Sequence, residues 1–149
     1  MITWTVWYSH DQTAEGEIVH NGAELDAALD HVMAISDTEW PALATISRPN
    51  DHSNPALYVG FHSDRGVLLF VSVEGGREFS RGSEDSDGAA LLYMYMTSAE
   101  EFPSNAEVPT ALVRKAAHEF ADTGGRPTCV EWQLWEQPIT DTESEWPDL

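Results

Sequence analysis

From its amino terminus the chain alternates Trp4, Val6 and Tyr8 with Thr3, Thr5 and Trp7, the period of two that a strand produces by pointing successive side chains to opposite faces. A polar connection follows. Asn21 then precedes Leu25, Ala28, Leu29, Val32 and Met33 at helical spacing, with Glu24 three residues on as the acidic member of a capping box. This predicts a helix over 22–35. Its outer face carries Asp26 and Asp30, whose i,i+4 repulsion costs roughly a few tenths of a kcal/mol.

Three strands are predicted next, over Ala42–Ser47, Ala56–His62 and Val67–Val73. Ser63-Asp64-Arg65-Gly66 supplies turn chemistry between the last two, so they should form an antiparallel hairpin with Leu57, Val59 and Phe61 on one face. A short strand around Glu78–Arg81 leads to the acidic loop Glu84-Asp85-Ser86-Asp87-Gly88. A strand over Ala90–Thr97 sets Leu92, Met94 and Met96 opposite Leu91, Tyr93 and Tyr95. Ser98–Glu107 is turn-rich. Pro109 suits a first helical position, Leu112, Val113, Ala116, Ala117 and Phe120 form one stripe, and Thr123-Gly124-Gly125 with Pro127 ends that helix. The last strand, Thr128–Trp135, places Val130, Trp132 and Leu134 opposite Glu131, Gln133 and Trp135.

Hairpin-length links between the middle strands demand antiparallel pairing, and two helices are too few to cover both faces of the sheet. The expected fold is α+β, a single antiparallel sheet of six to seven strands with both helices packed on one face. One domain should occupy 1–136. Residues 137–149, with two prolines, several acids and Trp146, read as an acidic C-terminal tail.

Composition narrows the function. The 149 residues suit a single domain, and 42% hydrophobic content is too high for a disordered chain. Against 26 Asp plus Glu stand 7 Lys plus Arg, a net charge of −19. Such a chain has no cation cluster for a phosphate backbone, so direct nucleic-acid binding is excluded and anionic membranes are disfavoured. With no basic start followed by an apolar run and no stretch near the roughly 20 apolar residues of a membrane span, a soluble cytoplasmic protein is expected.

Catalytic patterns are scarce. Cys129 is the single cysteine, which excludes an internal disulfide framework and a CxxC motif, and its strand-like surroundings suggest a buried thiol. The six histidines are scattered without HExxH spacing, and no Walker loop, GxGxxG or GxSxG elbow occurs. Acid pairs such as Glu100-Glu101 and Glu84-Asp85 are expected in so acidic a chain, and the loop at 84–88 lacks the calcium-binding register. It reads as a solvated loop or a partner-binding one. No enzyme activity, metal or cofactor is expected.

Aromatics and acids point to a binding face instead. If Leu92, Met94 and Met96 face the helices, Tyr93 and Tyr95 lie on the opposite sheet face with Glu131, Gln133 and Trp135. Rings that supply area beside carboxylates that supply orientation suit a basic partner, unless loops or the tail cover that face.

The segment Val108–Trp132 carries a further pattern: Val108-Pro109 at a helix start, Ala116-Ala117 and Glu119-Phe120 in the helix, Thr123-Gly124 with Arg126-Pro127 at the turn, then Val130 and Trp132. It resembles the C-terminal signature of immunity protein family one of bacterial polymorphic-toxin systems. LYVGFHSDRGVLLFV and LLYMYM are similar to that family's middle strands, so the likeness spans about Pro41 to Trp135. The resemblance implies a cytoplasmic antitoxin that binds and neutralises a cognate toxin domain, often a nucleic-acid deaminase, by covering its basic active-site surface. It carries over no catalytic or contact residues. On residue chemistry alone, the toxin-binding candidates are Glu84, Asp85 and Asp87 for steering, Tyr93, Tyr95 and Trp135 as anchors, and Glu131 and Gln133 beside them. Two other readings stay open: a small-ligand protein or enzyme with a carboxylate-lined pocket, and an acidic soluble domain without a specialised site.

Overall fold

The computed structural model describes residues 3–9, 16–37, 39–49, 55–82, 90–96 and 98–135. In chain order these form β1 (Trp4–Trp7), β2 (Glu17–Val19), α1 (Gly22–Ile35), β3 (Ala42–Ser47), β4 (Ala56–His62), β5 (Arg65–Val71), β6 (Arg77–Arg81), β7 (Leu91–Tyr95), β8 (Ser98–Phe102), β9 (Val108–Pro109), α2 (Thr110–Thr123) and β10 (Glu131–Gln133). The fold is the α+β arrangement that the pattern implies. An open sheet runs β10-β6-β5-β4-β3-β1-β2 with antiparallel neighbours, and the β7–β8 hairpin joins it through one parallel bridge, Ala42 to Met94.

Both helices lie on one face because both present apolar stripes of matching size. Leu25, Ala28, Leu29 and Val32 of α1, with Val113, Ala116, Ala117 and Phe120 of α2, bury against Trp4, Val6, Ile46, Leu57, Val59, Phe61, Leu68 and Phe70. Trp4 is the anchor of that layer. Its ring sits 4.7 Å from that of Phe120, and its indole N–H donates to the Ala121 carbonyl at 2.9 Å, so the first strand and last helix share one buried hydrogen bond. The helix ends follow capping rules: Asn21 Oδ1 accepts from Glu24 N at 2.9 Å, and Gly124 closes α2 at φ 74°. Pro109 stands at the N-cap of α2, one position before the first helical residue.

Several expectations are corrected. The polar connection after β1 contains β2, and the turn-rich 98–107 contains β8; neither alternates strongly enough to announce itself. The β4–β5 turn is shorter than expected, with Ser63 at φ 62° and β5 starting at Arg65. Only Glu131–Gln133 of the expected final strand pairs, with β6. Leu92 does not face the helices but is exposed, because β7 folds over the other side of the sheet. Asp26 and Asp30 do not merely repel: Arg114 of α2 reaches both, at 3.1 and 3.0 Å, and His118 Nε2 lies 2.8 Å from Asp26 Oδ1. The apparent liability on α1 is therefore half of an interhelix clamp.

That clamp has a pH signature. The hydrogen bond from His118, followed by that from Arg114, holds the Asp26 carboxyl below its ordinary value. A depressed folded-state value stabilises the fold above about pH 4 and loses that contribution as pH falls through the lowered value. Thermal melts from pH 7 to pH 3 should show a smaller loss of stability for Asp26→Asn than for the wild type. Parallel curves would mean the clamp contributes nothing.

Candidate functional site

The helix-free face of the sheet is also apolar, and the structure covers only part of it. Leu43 of β3, Val67 and Leu69 of β5 and Phe79 of β6 point away from the helices and are buried beneath Tyr93, Phe102 and Ala106. The β7–β8 hairpin and the segment after it thus form a second cover. Gly60 makes the seat, since a Cβ there would stand 2.6 Å from the Tyr93 ring. The Tyr93 hydroxyl donates to Glu107 Oε2 at 2.7 Å, and His62 Nδ1 lies 2.9 Å from the same oxygen. Arg65 adds a bond to the Glu107 carbonyl at 3.3 Å. Burial, reinforced by the Glu107 hydrogen bond, pushes the Tyr93 phenol far up, so it stays a neutral donor.

Beyond that seat the hairpin leaves a groove of about 320 Å³. Leu43, Thr45 and Ser47 of β3, Tyr58 of β4 and Leu69 and Val71 of β5 supply its floor, Tyr95, Glu100, Glu101 and Phe102 its hairpin wall, and Arg77 contributes from β6. Thr45 donates to the Tyr95 hydroxyl at 2.8 Å, and the Tyr95 ring meets Tyr58 edge-on at 5.9 Å. Burial raises the Tyr58 phenol, with the nearby Tyr95 and Glu100 adding to it. The Arg77 guanidinium already rests over the Phe79 ring. Thr5, opposite Ser47 in the register, continues this face with the one buried side-chain oxygen that lacks a partner among the described residues.

The expected site residues are distributed unevenly over this surface. Tyr95 lines the groove, whereas Tyr93 is buried beneath the hairpin as its fastening. Trp135 packs edge-on against Phe79 at 5.5 Å, and Gln133 Nε2 is engaged with the Ser80 carbonyl and Asn105 Oδ1, both at 2.9 Å. Glu131 faces a different depression of about 430 Å³, which it shares with Arg65, Arg81, Leu112 and Cys129. Glu84, Asp85 and Asp87 lie outside the described residues, as do the tail and its boundary with the domain. Tyr58, Glu100 and Glu101 were missed as site residues. Tyr58 lies on an expected strand, whereas Glu100 and Glu101 are legible only as an acid pair, because β8 is too polar to recognise.

The chemistry of the remaining titratable groups is uniform. Burial raises the Cys129 thiol, and the Glu119 carboxylate adds to this, opposing a thiolate. Burial first, then the Glu17 hydrogen bond, pushes Tyr8 up to about 12. Glu119 is lowered mainly by the hydrogen bond from Thr128. Each of these shifts reinforces the protonation state the group already has near neutrality, the reverse of tuning for acid–base work. Histidines pair singly with carboxylates: His20 with Glu24, His31 with Glu17, His62 with Glu107 and His118 with Asp26. Among the described residues no three candidate ligands gather into a metal site, and no helix is long and apolar enough to cross a membrane.

Comparison with known proteins yields one decisive match. The model of the family described as immunity protein Imm1 matches residues 13–134, extending well before the motifs that suggest it. No curated protein matches the sequence. Among solved structures, a hypothetical protein from Neisseria gonorrhoeae is similar at 14% identity and TM-score 0.47, over 85% of this chain and 89% of that one.

The seating of the hairpin is directly testable. Gly60→Ala should displace the Tyr93 ring and cost about 1–3 kcal/mol in denaturant unfolding, as overpacking does. Amide exchange should accelerate in β7 and β8 ahead of the rest of the sheet. Unchanged exchange there would show that the hairpin is held elsewhere.

Proposed function

The chain belongs to the Imm1 family of immunity proteins, and from that premise we propose that it neutralises its cognate toxin by laying an acidic surface over the toxin's basic, nucleic-acid-binding face. The toxin class we favour is a nucleic-acid deaminase. Such an enzyme needs cations to hold a phosphate backbone, and a folded polyanion competes for the same cations.

The observation that carries this reading is where the few cations go. Arg114 is committed to Asp26 and Asp30, Arg126 to Glu78, and Arg65 to Glu107. Arg48 lies over Trp4 and Arg77 over Phe79. Only the Arg114 pairs tie the helices; the Arg65–Glu107 pair lies under the hairpin, Arg77 itself lines the groove, and Arg81 and Lys115 form no ion pair among the described residues. Asp37, Glu39, Glu74, Glu100, Glu101 and Glu131 form no ion pair among the described residues, and Glu100 and Glu101 flank the groove. Unpaired acids around a partly covered sheet face produce a field that steers a basic partner. The groove supplies depth and aromatic walls, with Tyr95 and Trp135 beside it as contact residues. Glu84, Asp85 and Asp87 would add steering charge, and Glu131 and Gln133 extend the surface along β10. Tyr93 acts from beneath, as the fastening of the contact surface.

Co-expression should rescue cells from the toxin encoded beside this chain, and the purified pair should co-elute with the toxin's deamination of single-stranded DNA or RNA suppressed. Glu100→Lys with Glu101→Lys should slow association about tenfold or more at low salt and flatten its salt dependence, with an unchanged melting temperature. Asp85→Lys with Asp87→Lys tests the loop in the same way. Association rates indifferent to both pairs would remove this face, and an unaffected toxin would remove the reading.

A further inference from the structure

The turn between α1 and β3 presents a tryptophan to solvent in a way that hydrophobic burial alone would oppose. Trp40 is 60% exposed, although six tryptophans in 149 residues give this protein ample use for such rings in its cores. The ring is not exposed through looseness of the backbone. Asp37 Oδ1 accepts from the backbone N–H groups of Glu39 and Trp40, at 2.9 and 2.7 Å. Ser36 Oγ donates to the Phe61 carbonyl and accepts from Ala42 N, so the turn is tied to the end of β4 and the start of β3. Pro41 follows, which restricts Trp40 to extended backbone, and the Pro41 carbonyl accepts from Met94 N at 2.7 Å.

That last bond joins the turn to β7. Trp40 and Leu92 each stand two residues before the bridged pair Ala42 and Met94, and Leu92 is 53% exposed. Glu39 precedes Trp40 and Glu101 faces Leu92 across the β7–β8 pairing. Neither acid forms an ion pair among the described residues, and Glu101 also lines the groove. A hydrogen-bonded turn thus presents an exposed indole, and β7, bridged to the strand that follows it, presents an exposed leucine, with Glu39 and Glu101 beside them and Glu101 also on the groove wall.

We propose that Trp40, supported by Leu92, is the anchor of the toxin interface: its indole fills an apolar pocket on the toxin whose rim carries lysine or arginine facing Glu39 and Glu101. This rests on the immunity reading above. Tryptophan in a pre-formed turn gives large contact area with little ordering cost, the combination found where a few residues dominate binding. A second copy of this chain is the poorer occupant. A twofold interface would set the same acid-rimmed patch against itself in a protein of net charge −19.

The test uses the full chain and the toxin domain encoded beside it, with Trp40→Ala, Trp40→Phe, Leu92→Ala and, as an exposed control on the helix side, Lys115→Ala. Trp40→Ala should weaken binding about 30-fold or more, chiefly through faster dissociation, with Trp40→Phe recovering part of the loss. Leu92→Ala should weaken it less. Lys115→Ala should bind normally and all four melts should match the wild type. Hydroxyl-radical labelling of Trp40 should be strong in the free chain and suppressed in the complex. Normal binding by Trp40→Ala, with Trp40 still labelled in the complex, overturns the proposal while leaving the immunity reading intact. So does a wild-type dimer that Trp40→Ala dissociates. Failure of the wild type to bind the toxin removes both.

Discussion

The central strands bury side chains on both faces, and everything else in this molecule answers to that constraint. In β3 every side chain is buried, Ala42, Ala44 and Ile46 toward the helices and Leu43, Thr45 and Ser47 away from them. In β5 the run Val67 to Phe70 likewise divides between two cores. A sheet of this kind cannot leave one side to water without exposing several large side chains, each worth about 1.5–3 kcal/mol of burial. The two helices satisfy one side. The other is satisfied by a hairpin that returns across the sheet, seated on Gly60 and fastened by Tyr93 to Glu107.

The two covers differ in what they leave for function. On the helical side the Asp26, Asp30, Arg114 and His118 cluster locks the helices together while neutralising charge. Hairpin cover is short. It ends in a groove with glutamates on its wall and a turn that holds Trp40 outward. A binding protein gains from such a division, because a contact surface mounted on a fully packed layer loses little entropy on association. Three of the seven cations, Arg114, Arg126 and Arg65, are taken up by Asp26, Asp30, Glu78 and Glu107.

Much of this was legible beforehand, in a graded way. Strands β3 and β4 and helix α1 match their expected ranges, since long periodic segments with clear caps leave little competition between structures. The hairpin of β4 and β5 was legible from its turn residues. Strand β2 and strand β8 were not. Glu17-Ile18-Val19 is too short to show a period, and Ser98-Ala99-Glu100-Glu101-Phe102 owes its extended form to pairing with β7 rather than to propensity. Missing β8 hid Glu100 and Glu101 as a wall, and with them the groove. Nothing local marks Trp40, because exposure is a property of the packed molecule.

The sequence by itself determined the α+β class, the helix faces, the acidity, the lack of recognisable catalytic motifs and the likeness to immunity proteins. These depend on local periodicity, caps and composition, which the chain carries residue by residue. Only the tertiary structure decided that β7 and β8 would cover the second face, that the Tyr93 hydroxyl would be buried on Glu107, and that Asp26 and Asp30 would be held by Arg114 from 84 to 88 residues away along the chain. These outcomes depend on which surfaces meet when both apolar faces of the sheet must be buried at once, and no local pattern records that choice.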